Sequence, residues 1–98
     1  MKSIMQTDLS VCYLCGKHIG TDRDCHHVFE GTANKKKSEE DGMKVYLHHC
    51  CHMWLHEHPK TANTLKQRAQ RIWERTYGDR EAFMKRFGQS YILEDEDG

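Results

Sequence analysis

The sequence predicts an α+β fold: a small metal-stapled core followed by C-terminal α-helices. Three observations predict it. All five cysteines and all eight histidines fall within residues 1–58, several of them at metal-ligand spacing. Short runs of β-type residues lie among them, and helical periodicity takes over from Cys51 onward. The chain has 98 residues, 37% hydrophobic and 31% charged. A chain so short buries only a modest apolar core, and domains of this kind ordinarily need a disulfide or a metal.

The elements follow in order. Residues 1–10, MKSIMQTDLS, read as a flexible leader. They lack the apolar run and cleavage site of a secretory signal. With an odd cysteine count, this makes a reducing, cytoplasmic setting the expectation, where clustered cysteines serve as metal ligands rather than disulfides. No stretch approaches the roughly 18 apolar residues of a membrane span, so no membrane partner is expected. VCYLCGKHIG sets Cys12 and Cys15 around a tight turn with Gly16 just after, a zinc-knuckle pattern. DCHHVFEG has β character around Val28 and Phe29. TANKKKSEEDG is polar without apolar periodicity and reads as a loop. MKVYL alternates and reads as a strand.

A helix is expected from Cys51, with Trp54 and Leu55 toward the core and Pro59 ending it after about two turns. A longer helix is expected to begin near Thr61 or Asn63, with Leu65, Ala69, Ile72 and Trp73 at helical spacing. Gly78 suits its end. Asp79 suits the cap of a last helix carrying Ala82, Phe83, Met84 and Phe87. GQSYIL reads as extended chain. One domain is therefore expected over residues 11–93, with helices over 60–88, and an acidic tail at 94–98.

The formal net charge is zero, but it is unevenly distributed. Between Lys60 and Phe87 there are eight Lys or Arg against three acids, whereas the final EDEDG holds four acids and no base. A basic helical segment balanced by an acidic tail is compatible with a nucleic-acid partner.

The metal ligands sort by spacing. Structural zinc takes four ligands, usually as closely spaced pairs. Cys12 and Cys15 form one pair. His48 and Cys51, also three apart, form the second. Cys50, with His48 or a later ligand, is the alternative, since adjacent cysteines do not readily chelate one tetrahedral ion. His52 and His56 at i, i+4 share a helix face and offer a bidentate site. His26 or His27 supplies a third ligand. On a strand the two point to opposite sides, so one ligates and the other stays free. A free imidazole beside a metal is the arrangement of a metal-assisted hydrolase. Against this stands the reading in which the histidines bind nothing and simply occupy surface or core positions. His18, His49 and His58 are expected at the surface or behind the ligands.

The order of these motifs resembles the HNH endonucleases of the His-Me finger, or ββα-metal, superfamily. More narrowly, HHVFEG, ANKKKSEEDG, GMKVYL and FGQSYI are similar to motifs of small zinc-stapled HNH proteins from phages and prophages. The resemblance runs from Cys12 to Leu93. It implies a ββα-metal, treble-clef-like core and a bacterial host cytoplasm. It also implies DNA cleavage by a one-metal mechanism, with structural zinc and a catalytic Mn, Mg, Ni or Zn ion. His26 matches the first catalytic-metal ligand, a place more often held by Asp. His27 matches the general base. His52 and His56 match the remaining metal ligands. Asn34 matches the middle Asn that braces the loop and the base. Lys35, Lys36, Lys37, Arg68, Arg71 and Arg75 are candidates for sequence-blind contacts to the DNA backbone.

Two departures stand out. His48 occupies a place where such proteins commonly carry a zinc cysteine. His52 and His56 are also closer together than in many of these relatives, nearer to the nuclease colicins. The rival expectation is a non-catalytic zinc module that binds nucleic acid or protein, such as a phage-encoded inhibitor on the same fold. Trp73, Tyr77, Phe83 and Phe87 either pack within the chain or form a homodimer through the C-terminal helices.

Overall fold

The cysteine-rich turn near the start of the chain closes on itself. Cys12 N donates to Lys17 O and Gly16 N donates to Cys12 O, both at 2.8 Å. A single bridge pairs Val11 with His18. Gly16 lies at φ +78°, a left-handed conformation that glycine adopts without a Cβ penalty.

The computed structural model describes residues 2–92. Among them, the elements run β1 (Asp24–His27), α1 (Thr32–Asp41), β2 (Lys44–Leu47), α2 (His49–Glu57), α3 (Pro59–Thr76) and α4 (Arg80–Phe87). This is a small α+β fold with a two-stranded antiparallel sheet and four helices. The register pairs Asp24 with Leu47 and His27 with Lys44. Strand alternation sends Asp24 and His26 to one side of the sheet and Cys25 and His27 to the other. The strand lies earlier than Val28 and Phe29, which instead are fully buried beyond its end.

The segment expected as a loop is the helix α1. Its sequence, TANKKKSEED, carries no apolar stripe, so apolar periodicity could not reveal it. What fixes it is a polar stripe. Asn34 Nδ2 donates to Phe87 O at 3.1 Å and Lys37 Nζ donates to Arg86 O at 2.7 Å. Ser38 is fully buried, accepting from Phe29 N and donating to Phe29 O. Asp41 accepts from Trp73 Nε1, Arg86 Nε and Arg86 Nη2. These residues recur at i, i+3, i+4 and i+7, so one helical face is tied to α4, α3 and Phe29 just after β1 by hydrogen bonds. Gly42 ends the helix at φ +74°, and Met43 N reaches back to Ser38 O at 2.8 Å.

Residues 2–10, expected as a flexible leader, make ordered contacts along β2. Ile4 N donates to Gly42 O at 3.0 Å, Ser3 Oγ to Lys44 O at 2.5 Å, and Tyr46 N to Gln6 Oε1 at 2.8 Å.

Helix α2 starts two residues before Cys51, with His48 as its N-cap residue. Leu55 is buried as expected, but Trp54 faces outward and stacks on His58 with ring centroids 3.7 Å apart. Pro59 does not merely end α2. It opens α3 at its first position, where a missing N–H costs nothing, so α3 begins earlier than Thr61. Asp79 caps α4, its side chain accepting from Ala82 N at 2.9 Å. GQSYIL forms no strand over its described residues. Buried Gln70 pins it, accepting from Tyr91 N at 2.7 Å and donating to Ser90 Oγ at 2.9 Å. Leu93 and the acidic tail lie outside the described residues.

Two apolar clusters result. Val28, Phe29, Met43, Ala69, Trp73, Phe83 and Phe87 form an aromatic core between the helices. Cys12, Ile19, Val45, Leu47 and Leu55 form a smaller one under the cysteine turn. The rings that suggested a homodimer are largely spent here: Trp73, Phe83 and Phe87 are buried, while Tyr77 and Met84 stay exposed.

Candidate metal centres

Among the described residues, three groups of side chains converge closely enough to hold a cation. They share no member.

The first is Cys12, Cys15, His48 and Cys51, whose ligand atoms lie within 4.8 Å of one another. The cysteine turn supplies the first two and the start of α2 the others. His48 Nε2 donates to His18 O at 3.0 Å. A carbonyl only accepts, so in the neutral imidazole the proton sits on Nε2 and Nδ1 keeps its lone pair. That lone pair faces Cys15 Sγ at 3.4 Å and Cys51 Sγ at 4.0 Å. Burial pushes the Cys12 thiol up, but backbone N–H donors from Cys15, His48 and Leu14 outweigh it and bring it down to about 6. Burial, with Cys12 and Cys15 beside it, drives Cys51 up to about 12. The cluster therefore favours a thiolate at Cys12 and disfavours one at Cys51, a tension that a divalent cation would relieve. Cys50 is exposed and outside every group.

The second group is His26, His52 and His56. His26 comes from β1, and α2 presents the other two from one face. His26 Nδ1 and His52 Nε2 are 3.2 Å apart, as are His56 Nε2 and His52 Nε2. Zinc–nitrogen bonds of about 2.0 Å in a tetrahedron place ligand nitrogens about 3.3 Å apart, so the spacing suits a metal. His52 Nδ1 donates to Asp24 Oδ2 at 3.0 Å, which leaves Nε2 as the lone pair toward the centre. Burial first, then His52 and His56, lower the His26 pKa to about 4. Its lone pair is thus available at ordinary pH. Asp24 also accepts from His49 Nδ1 at 2.7 Å, and its own pKa is lowered by His52 and then His49.

The third group is Cys25, His27 and Glu39, on the opposite side of β1. Glu39 Oε1 lies 2.9 Å from His27 Nε2, and Glu39 Oε2 accepts from Lys44 Nζ. Lys44 first, then His27, hold the Glu39 carboxyl down at about 2. A carboxylate only accepts, so in the neutral imidazole Nε2 carries the proton. His27 Nδ1 is then a lone pair, buried and without a hydrogen-bond partner.

Both sides of β1 meet at a cleft of about 200 Å³ whose walls include Cys25, His26, His27, Lys35, His52 and His56. The other expected residues scatter. Asn34 braces α4 instead of His27, and the side chain holding His27 is Glu39. Lys36 lines a neighbouring hollow with His27 and Glu39. Lys37 is committed to Arg86 O. Arg68 lies over the Tyr13 ring, 6.0 Å from its centroid, and Arg71 and Arg75 flank Glu74 on a separate surface. Lys66, not singled out from sequence, sits beside His26 and His56 and pairs with Glu30 at 3.7 Å.

Sequence reasoning missed Asp24 and Glu39. Asp24 was legible in principle, two residues before His26 and so on the same strand face. Glu39 required knowing that α1 is a helix. Comparison with family models, characterised proteins and solved structures finds no match to this chain.

Proposed function

We propose that the chain is a metal-dependent endonuclease of the HNH type that hydrolyses DNA phosphodiester bonds. The observation that carries this reading is His27: its Nε2 is held by Glu39 and its buried Nδ1 has no partner, beside a cluster of three converging imidazoles. An antiparallel strand pair, a following helix and a cysteine turn are also the parts of a zinc-stapled ββα-metal core.

Cys12, Cys15, His48 and Cys51 would hold zinc as a staple. His26, His52 and His56 would hold a second divalent ion. When bound, that ion supplies charge stabilisation to the phosphate and the leaving 3′ oxygen. An all-imidazole set favours later transition metals, with Mn or Mg as the ions expected to support turnover. His27 does the proton chemistry. Its Nδ1 takes a proton from the water that attacks phosphorus, and Glu39 accepts from Nε2 and stabilises the imidazolium that forms. Asp24 fixes the His52 ring. Lys35 in the cleft wall and Lys66 beside it offer positive charge to phosphate oxygens.

The second reading is a non-catalytic zinc module for nucleic acid or protein. It draws on the scatter of Arg68, Arg71 and Arg75 away from the histidine cleft.

Plasmid cleavage with added Mn or Mg separates the two. The parent should nick DNA, and His27→Ala should lose roughly 10²- to 10⁴-fold in rate while keeping its metal content and helicity. Equal cleavage by His27→Ala would remove the base assignment. No cleavage by the parent in any divalent metal would favour the binding module.

A further inference from the structure

We infer that Cys25, His27 and Glu39 form a third metal site, selective for zinc and weaker than the four-ligand cysteine cluster. Strand β1 sets Cys25 and His27 two residues apart on one side, and α1 lowers Glu39 onto them from above. Their ligand atoms lie within 4.8 Å of one another, and none belongs to the other two clusters. Zinc bonds of about 2.0–2.3 Å in a tetrahedron require separations of about 3.3–3.8 Å, so side-chain rotation of an ångström or less closes the site.

The donor set decides the ion. One thiol, one imidazole and one carboxylate suit zinc, whereas magnesium and manganese prefer oxygen. Three protein ligands leave a fourth position for water or another ligand. Access is open, since Cys25 is exposed and two clefts reach the group. Lys44 sets the rank. Its ammonium already occupies Glu39 Oε2 and repels an incoming cation, so this site is weaker than the four-ligand cluster.

Binding has a consequence for His27. The Cys25 thiol gives up its proton to solvent as it ligates. If His27 ligates through Nδ1, that lone pair is consumed. If it ligates through Nε2, the imidazole proton must sit on Nδ1. In both cases Nδ1 can no longer take a proton from water. Zinc here is therefore a brake on cleavage. The site stands on geometry alone; the brake rests on the nuclease reading proposed above.

The site is tested on the full chain by iodoacetamide alkylation, read at each cysteine by mass spectrometry. At zinc tenfold above the dissociation constant, Cys25 alkylation should slow about tenfold. Exposed Cys50, adjacent to the staple but in no cluster, should react at an unchanged rate. Magnesium and manganese should leave Cys25 reactive. His27→Ala and Glu39→Gln should each abolish the protection while retaining helicity. Unprotected Cys25, equal slowing at Cys50, or protection surviving in both variants would overturn the site. Cleavage provides a separate arm. Zinc at the protecting concentration should slow the manganese-supported parent more than Cys25→Ser, each relative to its own zinc-free rate, because exchange of manganese for zinc among the histidines is common to both. Equal slowing of the two would overturn the brake. A parent protected at Cys25 but not slowed by zinc would overturn the brake and keep the site. A parent that never cleaves would overturn the nuclease reading and leave the alkylation result standing.

Discussion

His26 and His27 are chain neighbours in different electrostatic worlds. His26 faces two other imidazoles in a buried setting, and its pKa falls from 6.5 to about 4. Between those values the unfolded chain binds a proton at this position and the folded chain does not. Stability should therefore fall as pH falls through that window, by as much as about 3 kcal/mol across all of it. Urea midpoints at pH 7 and pH 5 check this. The parent should lose more than His26→Gln, and equal losses would show that His26 is not the linked group. The sequence announced that the two point to opposite sides, because alternation on a strand forces it. It could not announce Glu39, which reaches His27 from a segment twelve positions along the chain and depends on helical phase.

At the scale of the element, α1 is the instructive case. Apolar periodicity locates helices that dock by burying surface. This one docks by saturating backbone carbonyls and an indole N–H with polar side chains, so its stripe is written in Asn34, Lys37, Ser38 and Asp41. Ser38 satisfies both backbone groups of Phe29 inside the core. Ser38→Ala should cost about 2 kcal/mol, because two buried groups are left unpaired. For a domain of this size that lowers the melting temperature by roughly 10 °C. A thermal melt unchanged within a degree or two would mean that α1 is held elsewhere. Legibility was better for β2, α3 and α4, whose alternation, apolar spacing and Asp79 cap are local signals. The boundaries of α2 and α3 slipped because Pro59 serves as the opening residue of a helix as well as a stop.

Across the whole molecule, the two apolar clusters are unequal in self-sufficiency. The aromatic core around Phe29 and Trp73 is built from large rings. The smaller cluster counts a metal-capable cysteine, Cys12, among its five buried members. With zinc in the proposed cysteine site, its cohesion would depend on that ion. Cys12→Ser should lose its bound zinc and the cooperative melting transition together, as read by elemental analysis and thermal circular dichroism. A variant that melts as the parent does would show the staple to be dispensable. The composition leads to the same expectation, since a chain of 98 residues with 37% hydrophobic content has little apolar area in reserve.

Cys51 and His52 are adjacent on α2, yet they point to different clusters. A rigid helix cannot turn one without turning the other. An ion in the cysteine cluster would fix the rotation of α2 and so pre-aim His52 and His56. Thermodynamic reciprocity then requires that an ion among the histidines tighten the cysteine cluster by the same factor. Filled with metal, the two centres should behave as one cooperative unit joined by a single peptide bond. Partial chelation should yield doubly loaded and empty chains in excess over singly loaded ones, a distribution that native mass spectrometry resolves.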